Sequence, residues 1–210
     1  MLQIQKGWRT TCMTGLRVIA GKAKGRRLRT VPGDSTRPIT DRAKESLFNI
    51  LTPDLPGSAW LDLFAGTGSV GIEAISRGAD FVRFIDIQRQ AIETIRSNVE
   101  ATSFQNHAEI LRLDAFHALE KVPDRRFDYV YIAPPQYKGL WKKALLAVDR
   151  SPGWLVDDAW VIVQIHPVEY EQVQLEHLKE LEQRKYGSTL FIFYERSSES
   201  VENDRVGGIE

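Results

Sequence analysis

The stretch Trp60-Leu-Asp-Leu-Phe-Ala-Gly-Thr-Gly-Ser-Val-Gly71 leaves this chain few folds to choose from. An apolar run short enough to be a buried strand passes through Gly66 and Gly68 into residues 69–77, whose apolar positions have helical spacing. Strand, tight turn and helix in that order form the repeating unit of an open parallel α/β sheet. Gly66 and Gly68 lack a Cβ, so the main chain can turn sharply there and lie close to a ligand. Asp62 falls near the end of the strand, where such sheets bind their ligands, and a carboxylate there suits a ligand with a positive amine. Gly66-x-Gly68-x-x-Gly71 also fits the dinucleotide fingerprint, in which the helix start holds a pyrophosphate. The loop by itself leaves both ligands open.

The remaining chain repeats the strand–helix alternation. Residues 81–86 read as a second strand ending in Asp86, which lies 18 residues after Gly68. That is near the spacing at which an acid holds ribose hydroxyls, although a turn residue or helix cap would look the same. Residues 88–101 are helical, and 108–113 form a third strand followed by Asp114-Ala115, where an acid serves either to bind an adenine amine or to cap a helix. Residues 127–132 form a fourth strand. Pro134 and Pro135 follow it directly, stop the ladder and stiffen a loop at the same crevice as the glycine turn. A helix over 138–148, a fifth strand over 159–165 and a closing strand pair over 178–187 and 189–194 complete a mostly parallel sheet covered on both faces. Ahead of the glycine turn, residues 39–51 are an amphipathic helix capped by Thr40 or Asp41.

Charge is distributed unevenly along a chain whose formal net charge is zero. Residues 16–46 carry Arg17, Lys22, Lys24, Arg26, Arg27, Arg29, Arg37, Arg42 and Lys44 against Asp34, Asp41 and Glu45. Residues 16–31 read as two short strands joined around Gly21 to Gly25, a basic hairpin fit to grip phosphates. The tail reverses the sign. The domains expected are a flexible extension over 1–15 with Met13 as an alternative start, the hairpin and linker over 16–38, the main domain over 39–196, and a disordered acidic tail over 197–210. Cys12 is the single cysteine, and no Cys/His cluster has metal-ligand spacing, so a reducing compartment without structural zinc is expected. With no apolar run long enough for a membrane span, the protein is expected to be cytoplasmic.

Several segments together resemble one family. Asp62-x-Phe64-Ala65-Gly66-Thr67-Gly68 resembles the cofactor loop of class I methyltransferases. Arg17-Val-Ile-Ala-Gly-Lys-Ala-Lys-Gly-Arg-Arg-Leu28, Thr36-Arg-Pro-Ile-Thr-Asp-Arg-Ala-Lys-Glu-Ser-Leu-Phe-Asn49, Ser76-Arg-Gly-Ala79 and Arg184-Lys-Tyr-Gly187 are, in order and spacing, similar to the RsmD family. These are bacterial enzymes that methylate the exocyclic N2 of a guanine in 16S ribosomal RNA. The resemblance implies a Rossmann-like, seven-stranded, mostly parallel sheet with an N-terminal basic β-hairpin, S-adenosylmethionine as methyl donor, and ribosomal RNA within the assembling small subunit as partner. A monomer without metal is expected. By position, Asp62, Phe64, Ala65, Gly66, Thr67 and Gly68 would line the methionine end. Asp86 with Ile87 would hold the ribose, and Asp114 with Ala115 would face the adenine. Lys22, Lys24, Arg26, Arg27, Arg29, Arg37 and Arg42 would hold RNA phosphates.

The catalytic loop departs from the family. The family pattern is Asp-Pro-Pro followed by Tyr or Phe, whereas this chain has Ala133-Pro134-Pro135-Gln136, with Tyr137 one place late. An exocyclic amine is a weak nucleophile because its lone pair is delocalised into the ring. An acceptor near its N–H groups favours a more tetrahedral nitrogen, and an aromatic ring stacks on the extruded base. Ala133 offers no side-chain acceptor. Positioning alone still supplies roughly 7–11 kcal/mol of barrier reduction, and the Pro134 carbonyl and Tyr137 remain, so a slower or rearranged enzyme is expected. The alternatives are an RNA-binding assembly factor that keeps the cofactor pocket, and an amino-methyltransferase acting on DNA adenine or protein glutamine.

Overall fold

The computed structural model describes residues 15–33 and 39–197. Residues 1–14 of the extension, residues 34–38 of the linker, Arg37 among them, and residues 198–210 of the tail lie outside the described residues. Helix α1 (Asp41–Leu51) is capped by Thr40, whose Oγ1 accepts from the Ala43 N–H. Strand β1 (Ala59–Asp62) leads through the glycine turn into α2 (Ser69–Ser76), then β2 (Phe81–Asp86), α3 (Arg89–Thr102) and β3 (Ala108–Arg112). A short α4 (Ala115–Leu119) follows, with Asp114 at its N-cap. After it come β4 (Phe127–Ile132), α5 (Leu140–Asp149), β5 (Leu155–Ile165), β6 (Leu178–Tyr186) and β7 (Thr189–Arg196).

The seven strands form one sheet in the order β3-β2-β1-β4-β5-β7-β6. β1 to β5 run parallel, and β7 returns antiparallel to β5 with β6 beyond it. The expected fold is therefore present. Alternation along the strands divides the core. Trp60, Phe84, Tyr131 and Ile162 face α1, α2 and α3, while Leu61, Ile85, Val130 and Val163 face α4 and α5. β5 begins earlier than expected because the chain runs through Asp157 and Asp158 as a bulge, with Asp158 at a φ of 63°. Gly71 marks a close approach, since a Cβ there would lie 2.4 Å from the Phe84 ring.

The N-terminal segment differs most from expectation. Its two legs meet antiparallel at the Arg17–Arg27 bridge, with Val18 N donating to Arg26 O, Gly25 N to Val18 O and Leu28 N to Leu16 O, while further backbone groups are taken by side chains of α2 and α3. Ile19 and Ala20 donate their N–H groups to the two oxygens of Glu73 at 2.7 and 2.9 Å. Ser76 Oγ donates to Ala20 O and accepts from Ala23 N. A Cβ on Gly21 would come within 1.8 Å of the Ser76 carbonyl oxygen. Glu73 is fully buried between Arg77, at 2.8 Å, and the buried Lys44, at 3.5 Å. Lys44 in turn donates to Arg17 O at 2.6 Å. Burial pulls the Lys44 ammonium below its ordinary range, and Glu73 works against that.

Candidate active site

The carboxyl ends of β1 to β5 enclose a cavity of about 570 Å³, and the glycine turn, the acids after β2 and β3 and the Pro-Pro loop converge on it. From β1 come Asp62, Phe64, Ala65, Gly66 and Thr67; from β2, Asp86 and Ile87; from β3, Asp114 and Ala115. From β4 come Ala133, Pro134, Pro135, Gln136 and Tyr137. Gly68 is set back from the wall. It is the N-cap of α2, and its backbone faces Ile95 and Phe84.

Asp62 is the unusual group. It is 2% exposed, and its Oδ1 has no hydrogen-bond partner among the described residues. Burial, then the nearby Asp86, pushes its carboxyl up to about 8, with the Phe64 N–H opposing. An orphaned buried carboxylate oxygen beside a glycine turn fits a ligand that brings a cation. Asp86 braces the same turn, accepting from Gly66 N at 2.9 Å and from Gln88 N at 2.8 Å, and each of its oxygens keeps a further lone pair. Asp114 is a helix cap: its Oδ1 accepts from both Phe116 N and His117 N. Its Oδ2 has no protein partner among the described residues. Phe116, which the sequence reading passed over, lines the cavity and meets Phe64 edge-on with ring centroids 6.3 Å apart.

The loop after β4 is held by its neighbour. Glu169 accepts from Tyr137 N at 2.7 Å and from His166 N at 3.2 Å, tying the Pro-Pro loop to the turn after β5. Tyr137 has a φ of 60° and is 68% exposed, with its ring 5.9 Å from that of His166 at the cavity rim. Pro134 is buried, Ala133 half-buried and Gln136 exposed. Two further wall residues escaped the sequence reading. Tyr131 is buried next to Asp62 in register, and its O–H donates to Oε1 of Gln164. A glutamine inside the apolar run Val161-Ile-Val-Gln-Ile165 was the available signal.

Of the expected phosphate-binding residues, Lys22, Lys24, Arg26, Arg27, Arg29 and Arg42 are exposed. Arg29 is fixed to the core through its backbone. Asn98 accepts from Arg29 N and donates to Arg29 O and to Thr67 O of the glycine turn. No helix among the described residues is long and apolar enough to cross a membrane.

Comparison with known proteins agrees with this arrangement. The family model described as conserved hypothetical protein 95 matches residues 16–195. YlbH of Bacillus subtilis (strain 168) is 42% identical over 151 residues, covering 71% of this chain and 82% of its own. A protein of Escherichia coli (strain K12) named ribosomal RNA small subunit methyltransferase D is 33% identical over 151 residues, covering 71% of this chain and 74% of its own. The solved structure of yhhF from Escherichia coli superimposes with a TM-score of 0.76 at 29% identity, over 86% of this chain and 97% of that one.

Proposed function

The chain belongs to the RsmD family, matched under the description conserved hypothetical protein 95, and from that membership we propose that it methylates small-subunit ribosomal RNA with S-adenosylmethionine, at the exocyclic N2 of a guanine. The observation that carries the cofactor assignment is Asp62: buried, with one oxygen unpartnered, at the head of the glycine turn. When bound, S-adenosylmethionine supplies an electrophilic methyl on a sulfonium. Asp62 takes the ammonium of the methionine end, and Phe64, Ala65, Gly66 and Thr67 shape the turn around it. Asp86 and Ile87 hold the ribose, while Asp114 uses Oδ2 for the adenine amine beside Ala115.

The acceptor side falls to the β4–β5 half of the crevice. Pro134 presents a backbone carbonyl as acceptor for the N2–H, and the stiff Pro134-Pro135 backbone fixes where it points. Tyr137, anchored by Glu169, stands at the rim with Gln136. In-line positioning of amine and methyl is the main contribution of the site. Lys22, Lys24, Arg26, Arg27, Arg29 and Arg42 form the phosphate surface, with Arg37 assigned by position. The substrate is the RNA in the assembling small subunit, and the working form is a cytoplasmic monomer.

The test is methyl transfer from labelled S-adenosylmethionine to unmethylated small ribosomal subunits, with the product nucleoside identified by mass spectrometry. N2-methylguanine is expected. No transfer, with cofactor and RNA both shown to bind, would replace the enzyme by an RNA-binding protein that keeps a cofactor pocket. Transfer to DNA adenine or protein glutamine in place of subunits would move the substrate class.

A further inference from the structure

Ala133 leaves the acceptor side short of one polar side chain, and the structure offers a replacement on the next strand. Residues assigned to the cofactor occupy the ends of β1, β2 and β3, so the acceptor base belongs to the half lined by β4 and β5. In that half Gln136, Tyr137 and Lys138 are exposed on a loop, whereas Gln164 is half-buried on a central strand. The register sets its direction. Asp62 pairs with Tyr131, and Tyr131 pairs with Ile162, two residues before Gln164, so all four share one face of the sheet. Gln164 is also braced from the other side, where β7 pairs it with Phe191.

The amide of Gln164 has a defined polarity. Tyr131 is 3% exposed, and burial together with Asp62 holds its phenol well above the ordinary tyrosine range, so it keeps its proton. A buried O–H needs an acceptor, and Oε1 of Gln164 is the one it has. The Nε2 amide hydrogens of Gln164 are then left with no protein partner among the described residues, at the wall of the cavity. Donation into Oε1 also polarises the amide and makes Nε2 the stronger donor.

We propose that Gln164 contacts the target base, donating from Nε2 to a purine acceptor, N3 or O6 of guanine, while Tyr131 acts as the positioning residue that fixes the amide. The proposal rests on the methyltransferase reading above. It assigns the base-reading hydrogen bond to β5 and leaves the Pro134 carbonyl to accept from the N2–H. Guanine presents N3 directly beside the carbon that carries N2, so a donor fixed on the strand next to the Pro-Pro loop holds the amine in register with the methyl.

The experiment compares the unaltered chain with Gln164→Glu, Gln164→Leu, Tyr131→Phe and the Tyr131→Phe/Gln164→Leu pair. Steady-state transfer to unmethylated subunits is measured beside S-adenosylmethionine affinity by calorimetry. Gln164→Leu should lower kcat/KM for the RNA about 10- to 100-fold, the range for an orphaned buried hydrogen bond. Gln164→Glu, which sets an acceptor against an acceptor, should lower it further. Tyr131→Phe should lower it by about tenfold, and the pair should be no worse than Gln164→Leu alone, the signature of residues acting through one contact. Cofactor affinity should stay within about threefold throughout, since Gln164 lies outside the cofactor half, and retained affinity also shows that each variant folds. Unchanged kcat/KM in the Gln164 variants, with the unaltered chain active, would overturn this assignment and leave the methyltransferase reading standing. Parallel loss of cofactor affinity would overturn it in favour of a cofactor-side role. No transfer by the unaltered chain would sink both.

Discussion

Asp62→Asn tests the electrostatics on which the cofactor assignment depends. In the folded chain without ligand the Asp62 carboxyl is pushed up to about 8 from 3.8, chiefly by burial and secondly by Asp86. The sign follows from proton counting. Between about pH 4 and pH 8 the unfolded chain has lost this proton and the folded chain has kept it, so stability falls as pH rises and levels off above about 8. At about 1.4 kcal/mol per unit, the window of about four units is worth on the order of 5 kcal/mol. Asparagine removes that penalty but leaves an amide to satisfy in the same place, at about 1–3 kcal/mol. The variant should therefore be more stable than the parent by about 2–4 kcal/mol at pH 8, with the difference shrinking toward zero near pH 5. Urea unfolding followed by fluorescence of the five tryptophans, at several pH values without ligand, measures this directly. The same substitution should weaken S-adenosylmethionine binding by about 10²-fold or more, through loss of a buried ion pair. At pH 7 the parent should release close to one proton on binding it, read from calorimetry in buffers of different ionisation heat. A stability difference independent of pH, or binding without proton release, would refute the reasoning.

Three other outcomes are expected. If Pro134 and Gln164 serve the amine and the base as proposed, Ala133→Asp should change kcat by less than about tenfold; a gain of about 10² or more would mark a site that has lost its acceptor. Glu73→Gln should destabilise the chain by about 3–5 kcal/mol in urea unfolding, since Lys44 and Arg77 are left without their buried counter-charge; a loss below about 1 kcal/mol would show that the network contributes little. Replacing Arg26 and Arg27 together by Ala should flatten the slope of log affinity against log salt for small-subunit RNA by about 1.4 to 1.8, at about 0.7 to 0.9 per phosphate contact, and an unchanged slope would remove these side chains from the RNA surface.

The parts of the site that could be read from the sequence are those carried by local pattern. Strand, turn and helix around Gly66 and Gly68 are set by short-range chemistry, and the acids at the ends of β2 and β3 follow at fixed offsets along a repeating unit. Tyr131 and Gln164 were invisible for the opposite reason. They lie 33 residues apart, and their hydrogen bond exists only because β4 and β5 pair in one register. The same applies to Glu169, which holds Tyr137 across 32 residues. The buried roles of Glu73 and Lys44 gave no sequence signal, because helical periodicity cannot register a carboxylate that accepts from backbone N–H groups of another segment. The basic segment, read as a hairpin arm, pairs its two legs over a short stretch and gives further backbone groups to α2 and α3, a docking that local pattern does not show.

That docking changes how the basic segment can work. An arm that closes on RNA must lose conformational entropy at about 1–2 kcal/mol for each residue ordered, which weakens every phosphate contact it makes. Here Glu73, Ser76 and Asn98 already hold the backbone at residues 19, 20, 23 and 29, so that ordering is completed on folding. Lys22, Lys24, Arg26, Arg27 and Arg29 then present one rigid basic surface whose position relative to the glycine turn is fixed through Asn98, which bonds Arg29 and Thr67 at once. Under the proposed function, phosphates held there would set the register of the RNA on the same frame that would hold the methyl donor. A substitution at Asn98 should lower affinity for RNA and for S-adenosylmethionine together, whereas a free arm would lose only the first.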